Sequence, residues 1–354
     1  MSHWLQECKS AAKTEKSVLL QEAFRQPQNP KQAQSCSGIA EKTLHMQELL
    51  PLSWIRTRAI RPVYRAVKLP LSRISWITFA DIPYGCILPI LYDDLSHAYQ
   101  DGFVFRGSTS AMAAYFYGRN CSILRTGAEA VLDLQKPHMA RKTVVASLIR
   151  GEKYGFVEEI DLNDETRQRF GKFLLETIHA GKPQLLHLFR HPPYPGCRLF
   201  VFREFSGKWL AAITLSSRGY KELHTELMLR HRDAPGGIME CLVSGIFARL
   251  KHDGYREWSL GEVPFMMVDN ASRLPLGSLE QLMVAMAPYC RHAYDYESLY
   301  RFKNKFAPVW RPVMLCASIT FSPLILAELA VSMGFIDLVA YQSIRLLRNR
   351  LFPA

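Results

Sequence analysis

Leu229–Glu240, LRHRDAPGGIME, is the stretch from which the fold can be read. Arg230, His231 and Arg232 lead into Asp233-Ala234-Pro235 and a Gly236-Gly237 pair. From Ile238 the apolar residues recur at Leu242, Ile246 and Leu250, the spacing of an amphipathic helix. A basic, glycine-rich turn that delivers a helix start exposes free N–H groups and the positive end of the helix dipole. A phosphate, a carboxylate or a developing oxyanion can sit there. Gly236 and Gly237 would permit close approach of a substrate. An ordinary helix start has the same composition, and the turn alone does not separate the two.

Working outward, Leu199 to Phe205 and Trp209 to Leu215 read as strands joined at Ser206-Gly207, a hairpin. Glu257 to Leu260 is a strand, Leu279 to Pro288 a helix and Val313 to Ile319 a closing strand. Upstream the order is similar. FVFRG from Phe103 is strand-like, and STSAMAAYFYGRN is helical with Ser108 or Thr109 as N-cap. SILRTGAEAVLDL is a strand or hairpin, Ala140 to Gly151 a basic helix and Phe156 to Asp161 a strand. A helix from Asn163 or Asp164 would bury Phe170, Phe173, Leu174 and Ile178. Two successive α/β units with mixed sheets fit a tandem acyltransferase-type fold better than a doubly wound one. No G-x-G-x-x-G follows a strand, and there is no Walker A sequence.

Lys and Arg number 44 against 32 Asp and Glu, a net charge of +12 over 354 residues. Such an excess favours nucleic acid or an anionic bilayer as partner. Between Glu48 and Asp81 there is no acidic residue. Arg56, Arg58, Arg61, Arg65, Lys68 and Arg73 lie there among Trp54, Tyr64, Val67 and Trp76. That mixture suits a bilayer boundary or a phosphate backbone; the plain alternative is a basic helix packed on its own protein. Residues 1–50 read as a flexible linker without the apolar run of a secretory signal. The eight cysteines are scattered, neither a zinc framework nor a disulfide scaffold. His187 and His191 could present two ligands, but Pro192 and Pro193 argue for a helix end and no third ligand is visible, so no metal site is expected. The best candidate for a membrane span, Ile319 to Ile344, carries Glu328 and Asp337 and reads as one or two amphipathic helices.

Two further blocks carry chemistry. Trp258-Ser259-Leu260-Gly261-Glu262-Val263-Pro264-Phe265 is a strand running into a turn, where α/β folds commonly place reactive groups. Glu262 there is either a surface carboxylate or a site carboxylate. In Tyr296–Trp310, YESLYRFKNKFAPVW, Lys303 and Lys305 flank the Phe302/Phe306 pair and could neutralise a phosphate; a solvated basic face is the alternative. Together, in this order, the three blocks resemble the C-terminal domain of the phosphatidylglycerol lysyltransferases. That family shows R-x-R-x-D-A-P-N-G-x-M-D, then L-G-x-A-P-L, then L-R-x-F-K-x-K-F-x-P-x-W. Gly127–Leu134, GAEAVLDL, resembles its G-E-E-A-x-V-D-L segment, so the resemblance covers roughly residues 98 to 330.

The resemblance implies two fused acetyltransferase-like (GNAT-type) α/β units enclosing a tunnel. Aminoacyl-tRNA would enter from one side and a lipid hydroxyl, of phosphatidylglycerol or similar, from the other. No ATP or other cofactor is needed, since one activated ester is exchanged for another. Asp233, Glu280, Lys303 and Lys305 fall on its polar, catalytic positions. Asp233 would bind the substrate α-ammonium or assist removal of the hydroxyl proton, and the lysines would hold phosphate or the tetrahedral intermediate. Arg230, Arg232, Gly236, Gly237, Glu240, Glu262 and Arg301 would bind substrate. The expected organisation is a linker at 1–50, a basic amphipathic segment at 51–97, a first unit at 98–194, a second, catalytic unit at 195–320 and amphipathic basic helices at 321–354. The protein is expected in the cytoplasm, held peripherally on the membrane surface. Departures are Gly236-Gly237 where Asn-Gly is usual, Glu240 where Asp is usual, and Glu262 where an apolar residue is common. The multi-helix membrane portion of many members is not seen, so flipping of the product is not expected. Two readings stay open beside this one: a soluble N-acyl- or aminoacyltransferase acting on a peptide or small amine, and a non-catalytic relative that binds tRNA or membrane.

Overall fold

The computed structural model describes residues 49–268 and 276–351. The expected linker therefore lies outside the described residues except for Leu49 and Leu50. Described strands are β1 (Ile55–Thr57), β2 (Val63–Lys68), β3 (Ser75–Pro83), β4 (Phe103–Ser108), β5 (Ser122–Asp133), β6 (Gly155–Ile160), β7 (Arg198–Glu204), β8 (Trp209–Ser217), β9 (Glu222–Arg230), β10 (Glu257–Pro264) and β11 (Val309–Ala317). The α-helices are α1 (Leu88–Ala98), α2 (Ser110–Tyr117), α3 (Lys142–Gly151), α4 (Asp164–Leu174), α5 (Ile238–His252), α6 (Ser278–Cys290), α7 (Tyr296–Asn304), α8 (Pro323–Ser332) and α9 (Phe335–Leu351).

All the strands join one mixed sheet, in the order β1-β3-β4-β11-β5-β10-β9-β8-β7-β6, with β2 paired to β3. The mixed α/β class expected from the sequence is present. One supersecondary step occurs twice within it. In the first, β3 passes through α1 to β4, and Ser75–Ile77 pair in parallel with Phe103–Phe105. In the second, β9 passes through α5 to β10, and Glu222–His224 pair in parallel with Glu257–Ser259. Each parallel ladder stops after three residue pairs, and the strands then splay. The halves are interleaved: β11 lies between β4 and β5, and β5 between β11 and β10. A boundary at 194/195 does not divide the sheet.

Local sequence explains the frame. Thr109 caps α2 by accepting from the Met112 N–H, and Asn163 caps α4 by accepting from Thr166. β7 and β8 form the expected hairpin, with Gly207 at φ +94° in its turn. β8 is buried along eight consecutive residues, as a central strand should be. The inward stripe of α5, with Ile238, Leu242, Ile246 and Leu250, packs on Phe200, Phe202, Ala211 and Ile213.

Residues 51–97 are not a separate amphipathic segment. They form β1, β2, β3 and α1, and Trp54 and Trp76 are each 1 % exposed. Two indole rings in the core remove on the order of 200 Å² apiece from water, more than an interfacial location could recover. Five of the six basic residues, Arg58, Arg61, Arg65, Lys68 and Arg73, are exposed, whereas Arg56 is buried and donates to Pro83 O and Cys86 O. The α4 helix ends at Leu174, so Ile178 lies beyond it and is 42 % exposed. At the C-terminal side α8 and α9 meet at 71°, and no single helix among the described residues is long and apolar enough to cross a membrane.

Candidate active site

The first splay is filled. The chain before β1 runs into it: the Leu52 N–H donates to Gly107 O at 3.1 Å, and β1 pairs with β3 beyond the ladder's end. Arg190 completes the plug. Its Nε donates to Ser53 O at 2.7 Å, and its Nη2 donates to Ala80 O and pairs with Asp81 at 2.7 Å.

The second splay holds ionisable side chains instead. From α7, Lys303 reaches in and donates from Nζ to the Glu262 carbonyl at 3.0 Å; the residue is 3 % exposed. Burial pushes its ammonium down to about 7, against the upward pull of Glu262 and Glu129. From β9, the His224 ring stands beside it. A Cβ added to Gly261 would meet Lys303 Nζ at 3.5 Å and His224 Cε1 at 3.8 Å, so the two groups converge on one residue. Gly261 is at φ +89°, which keeps a side chain out of that space. His224 Nδ1 lies 3.3 Å from Ser259 Oγ, while Nε2 has no hydrogen-bond partner among the described residues. Burial first, then Arg218, Arg106 and Lys303, hold the imidazole well below its ordinary pKa, so it is neutral.

Around this pair the carboxylates are tied down. Glu262 pairs with Arg106 at 2.6 Å and accepts from Thr126 Oγ1 at 3.0 Å. Glu129 pairs with Arg218 at 2.6 Å. Arg106, Thr126, His224, Glu262 and Tyr294 form the polar end of a cavity of about 540 Å³. The other described residues along that cavity are apolar, including Trp76, Leu188, Met283, Leu326, Met333 and Ile336. Its far wall is built by α6, α8 and α9. A few polar groups beside a largely apolar lining suit an amphiphile.

The other residues singled out from the sequence lie around this centre. Lys305 pairs with Glu240 at 2.7 Å, joining the third block to the first turn of α5. Asp233 occupies an exposed turn, with 74 % of its side chain accessible and a carboxylate 3.7 Å from His231 Nδ1; it does not line the cavity. Arg232 donates to Leu175 O and Glu176 O, and Arg230 to Ala234 O, so both brace the turn. At Gly237 the close approach is made by Ser147 O of α3, which a Cβ would meet at 2.4 Å, whereas Gly236 faces open space. Glu280 accepts from the Arg125 and Gly277 N–H groups and from the Arg125 guanidinium. Burial alone would raise its pKa, but these bonds outweigh it and hold the carboxyl below the usual range, anchoring α6 to β5. Arg301 is exposed and donates to Ser298. His187, at φ 62° in a bend, packs edge-on against Trp76 rather than standing beside His191 on a helix.

Sequence reasoning missed His224, Arg106 and Thr126. The signal for His224 was the run His224-Thr225-Glu226, three polar residues in succession that are all buried on β9. Polar residues buried in a central strand are uncommon unless paired or functional.

A family model described as "Phosphatidylglycerol lysyltransferase, C-terminal" matches residues 92–317. The phosphatidylglycerol lysyltransferase of Bacillus subtilis (strain 168) is 24% identical over 235 residues, covering 63% of this chain and 27% of that protein. An MprF-like domain protein of Mycobacterium tuberculosis (strain ATCC 25618 / H37Rv) is 30% identical over 114 residues, 32% of this chain and 23% of that one. This chain thus spans about a quarter of the length of these curated relatives. Among solved structures, L-PGS from Bacillus licheniformis superposes with a TM-score of 0.59 at 19% identity, over 77% of this chain and 86% of that one. The C-terminal domain of a putative lysylphosphatidylglycerol synthetase from Agrobacterium fabrum gives 0.57 at 18% identity, over 83% and 89%. These two share the fold.

Proposed function

From the premise that this chain belongs to the phosphatidylglycerol lysyltransferase C-terminal family, we propose that it transfers an aminoacyl group from aminoacyl-tRNA to a hydroxyl of a membrane lipid, phosphatidylglycerol or a similar one. The observation that carries this is the cavity: about 540 Å³ of apolar wall ending on Arg106, Glu262 and His224. Acyl chains fit such a wall and a phosphate-bearing head group fits such an end. A peptide or small amine would leave the apolar wall unused, so nothing in the cavity favours the soluble alternative.

In this reading the lipid head lies at the second splay with its hydroxyl beside Gly261. Lys303, charged below about pH 7, stabilises the oxyanion that forms when the hydroxyl attacks the aminoacyl ester. Lys305 and Glu240 fix α7 against α5, and Asp233 faces solvent on the side from which the α-ammonium of the donor would come. The protein associates peripherally with the cytoplasmic face of the membrane through α8 and α9, whose Leu324, Val331, Ile336 and Ile344 are exposed. The test is transfer of a labelled amino acid from total aminoacyl-tRNA into the chloroform-soluble fraction of phosphatidylglycerol vesicles. Label should enter lipid, and RNase treatment of the donor should abolish it. Transfer that survives RNase would remove the tRNA from the reaction.

A further inference from the structure

We infer that His224 is the catalytic base of this site, taking the acceptor hydroxyl's proton on Nε2 and returning it to the leaving group. The inference rests on the proposed transfer and adds the group that moves the proton. Three observations converge on this residue. It lines the polar end of the cavity while only 2 % exposed to bulk solvent. Its Nε2 is a buried polar atom with no partner among the described residues. It shares the space over Gly261 with Lys303, the one place where β9 and β10 part around ionisable groups.

Ser259 stands beside the other ring nitrogen. Ser259 Oγ accepts from the Gly261 N–H at 3.1 Å and lies 3.3 Å from His224 Nδ1. In this assignment Nδ1 carries the proton, and Nε2, buried and without a partner among the described residues, is the nitrogen left to accept one. The charged groups acting on the ring are Arg218, Arg106 and Lys303, with Glu129 and Glu262 committed to Arg218 and Arg106. They keep it neutral and therefore able to accept a proton at neutral pH.

The step balances. The hydroxyl oxygen forms a bond to the ester carbonyl carbon as its proton passes to Nε2. The tetrahedral intermediate then breaks the bond between that carbon and the ribose oxygen of the tRNA. The imidazolium gives its proton to that oxygen, leaving an aminoacyl lipid, free tRNA and a neutral histidine. Neither oxidant nor metal is consumed.

The test compares wild type, His224→Gln, His224→Ala and Ser259→Ala in the full chain, with labelled aminoacyl-tRNA and phosphatidylglycerol vesicles. Both His224 variants should lose about a hundredfold in kcat with KM little changed, the usual size of a lost general base. Ser259→Ala, which frees the tautomer, should lose about tenfold. Added imidazole should restore His224→Ala, and the acid limb of its pH–rate profile should move up towards that of free imidazole. Retention of kcat within threefold in both His224 variants overturns the assignment. So does a loss that imidazole leaves untouched while the unfolding temperature falls, which marks a structural residue. If wild type itself transfers nothing while remaining folded, the transfer reading fails and the base goes with it.

Discussion

The two parallel steps of the sheet begin alike and end differently. Each pairs three residues and then splays, but only the β3/β4 gap is plugged by main chain and by Arg190. The β9/β10 gap admits Lys303 and His224 and opens into an apolar cavity. Filling a splay satisfies its backbone groups and contributes stability. Leaving one open strands a depressed lysine and an imidazole whose Nε2 has no partner among the described residues, which costs stability and creates a place for chemistry. The same local topology therefore serves as a structural joint in one half and as a candidate site in the other.

Lys303→Met gives the largest expected effect and separates those two roles. Transfer should fall about a thousandfold, since a positioned donor in a water-poor site is worth 10² to 10³ in kcat. Thermal stability should rise, because the folded state penalises the ammonium. The sign follows from the protons. Unfolded, the lysine keeps its proton to its model value of 10.5; folded, it releases it near 7. Between those values the unfolded chain holds the extra proton, so this group's penalty is full below about pH 7 and fades as pH rises towards 10.5. The stability gain of the variant should therefore shrink over that interval, as thermal melts at pH 6.5, 8 and 9.5 would record. Equal or lower stability at pH 6.5 would mean that the open splay stores no cost.

Arg190→Ala is the converse. Removing the plug leaves Asp81, Ser53 O and Ala80 O without their buried partner, at a cost of about 3 kcal/mol or more. The melting temperature should drop by several degrees while kcat below that temperature stays within about threefold of wild type, as for a residue remote from the chemistry. A large loss of kcat with an unchanged melting temperature would mean that the first splay is also part of the site.

Part of the frame was legible in advance, the contrast between the splays was not, and the difference has a physical cause. Segments with clean periodicity, such as β7, β8, α5 and the closing strand β11, lie where their patterns put them. β9 escaped because Glu222, His224, Thr225 and Glu226 break the apolar alternation, and they do so because the strand lines the splay. β1, β2 and β3 escaped because their arginines suggested a surface. The tryptophans among them are core residues, and sequence spacing cannot tell an indole facing lipid from one facing a sheet. Lys303 and Glu262 were picked out from their blocks, whereas the pairing of Glu262 with Arg106 joins residues 156 apart and no local pattern carries it.

Asp233 tests how far the open splay extends. It sits in the turn just after β9, exposed and outside the cavity. If it meets only the donor, Asp233→Ala should raise KM for aminoacyl-tRNA by about tenfold, the worth of one partly exposed charged contact, with kcat and the lipid KM nearly unchanged. Steady-state kinetics with each substrate varied in turn would show this. A fall in kcat as deep as that of Lys303→Met would place the carboxylate at the reacting atoms and require the turn to close over the splay.

The smallest expected effect concerns the outer wall of the cavity. On α8 and α9 the exposed Val331, Ile344 and Leu347 lie on helices that also supply Leu326, Ala330 and Ile336 to the cavity. A bilayer touching that face would be continuous with the apolar wall, so a lipid could pass from one to the other without crossing water. Arg345 and Arg348 would add an attraction to anionic lipid of about 1 kcal/mol each, screened by salt. Because β1, β2 and β3 belong to the sheet, removing the N-terminal basic stretch would destroy the fold, and the discriminating changes are point substitutions. Ile344→Glu with Leu347→Glu should weaken co-sedimentation with phosphatidylglycerol vesicles by about tenfold at high ionic strength, where the apolar contribution dominates. Transfer to lipid dispersed in detergent should be unaffected. Undiminished vesicle binding in the double variant would detach α9 from the membrane and leave the exposed apolar residues of α6, Leu282 and Met286, as the face that meets the bilayer.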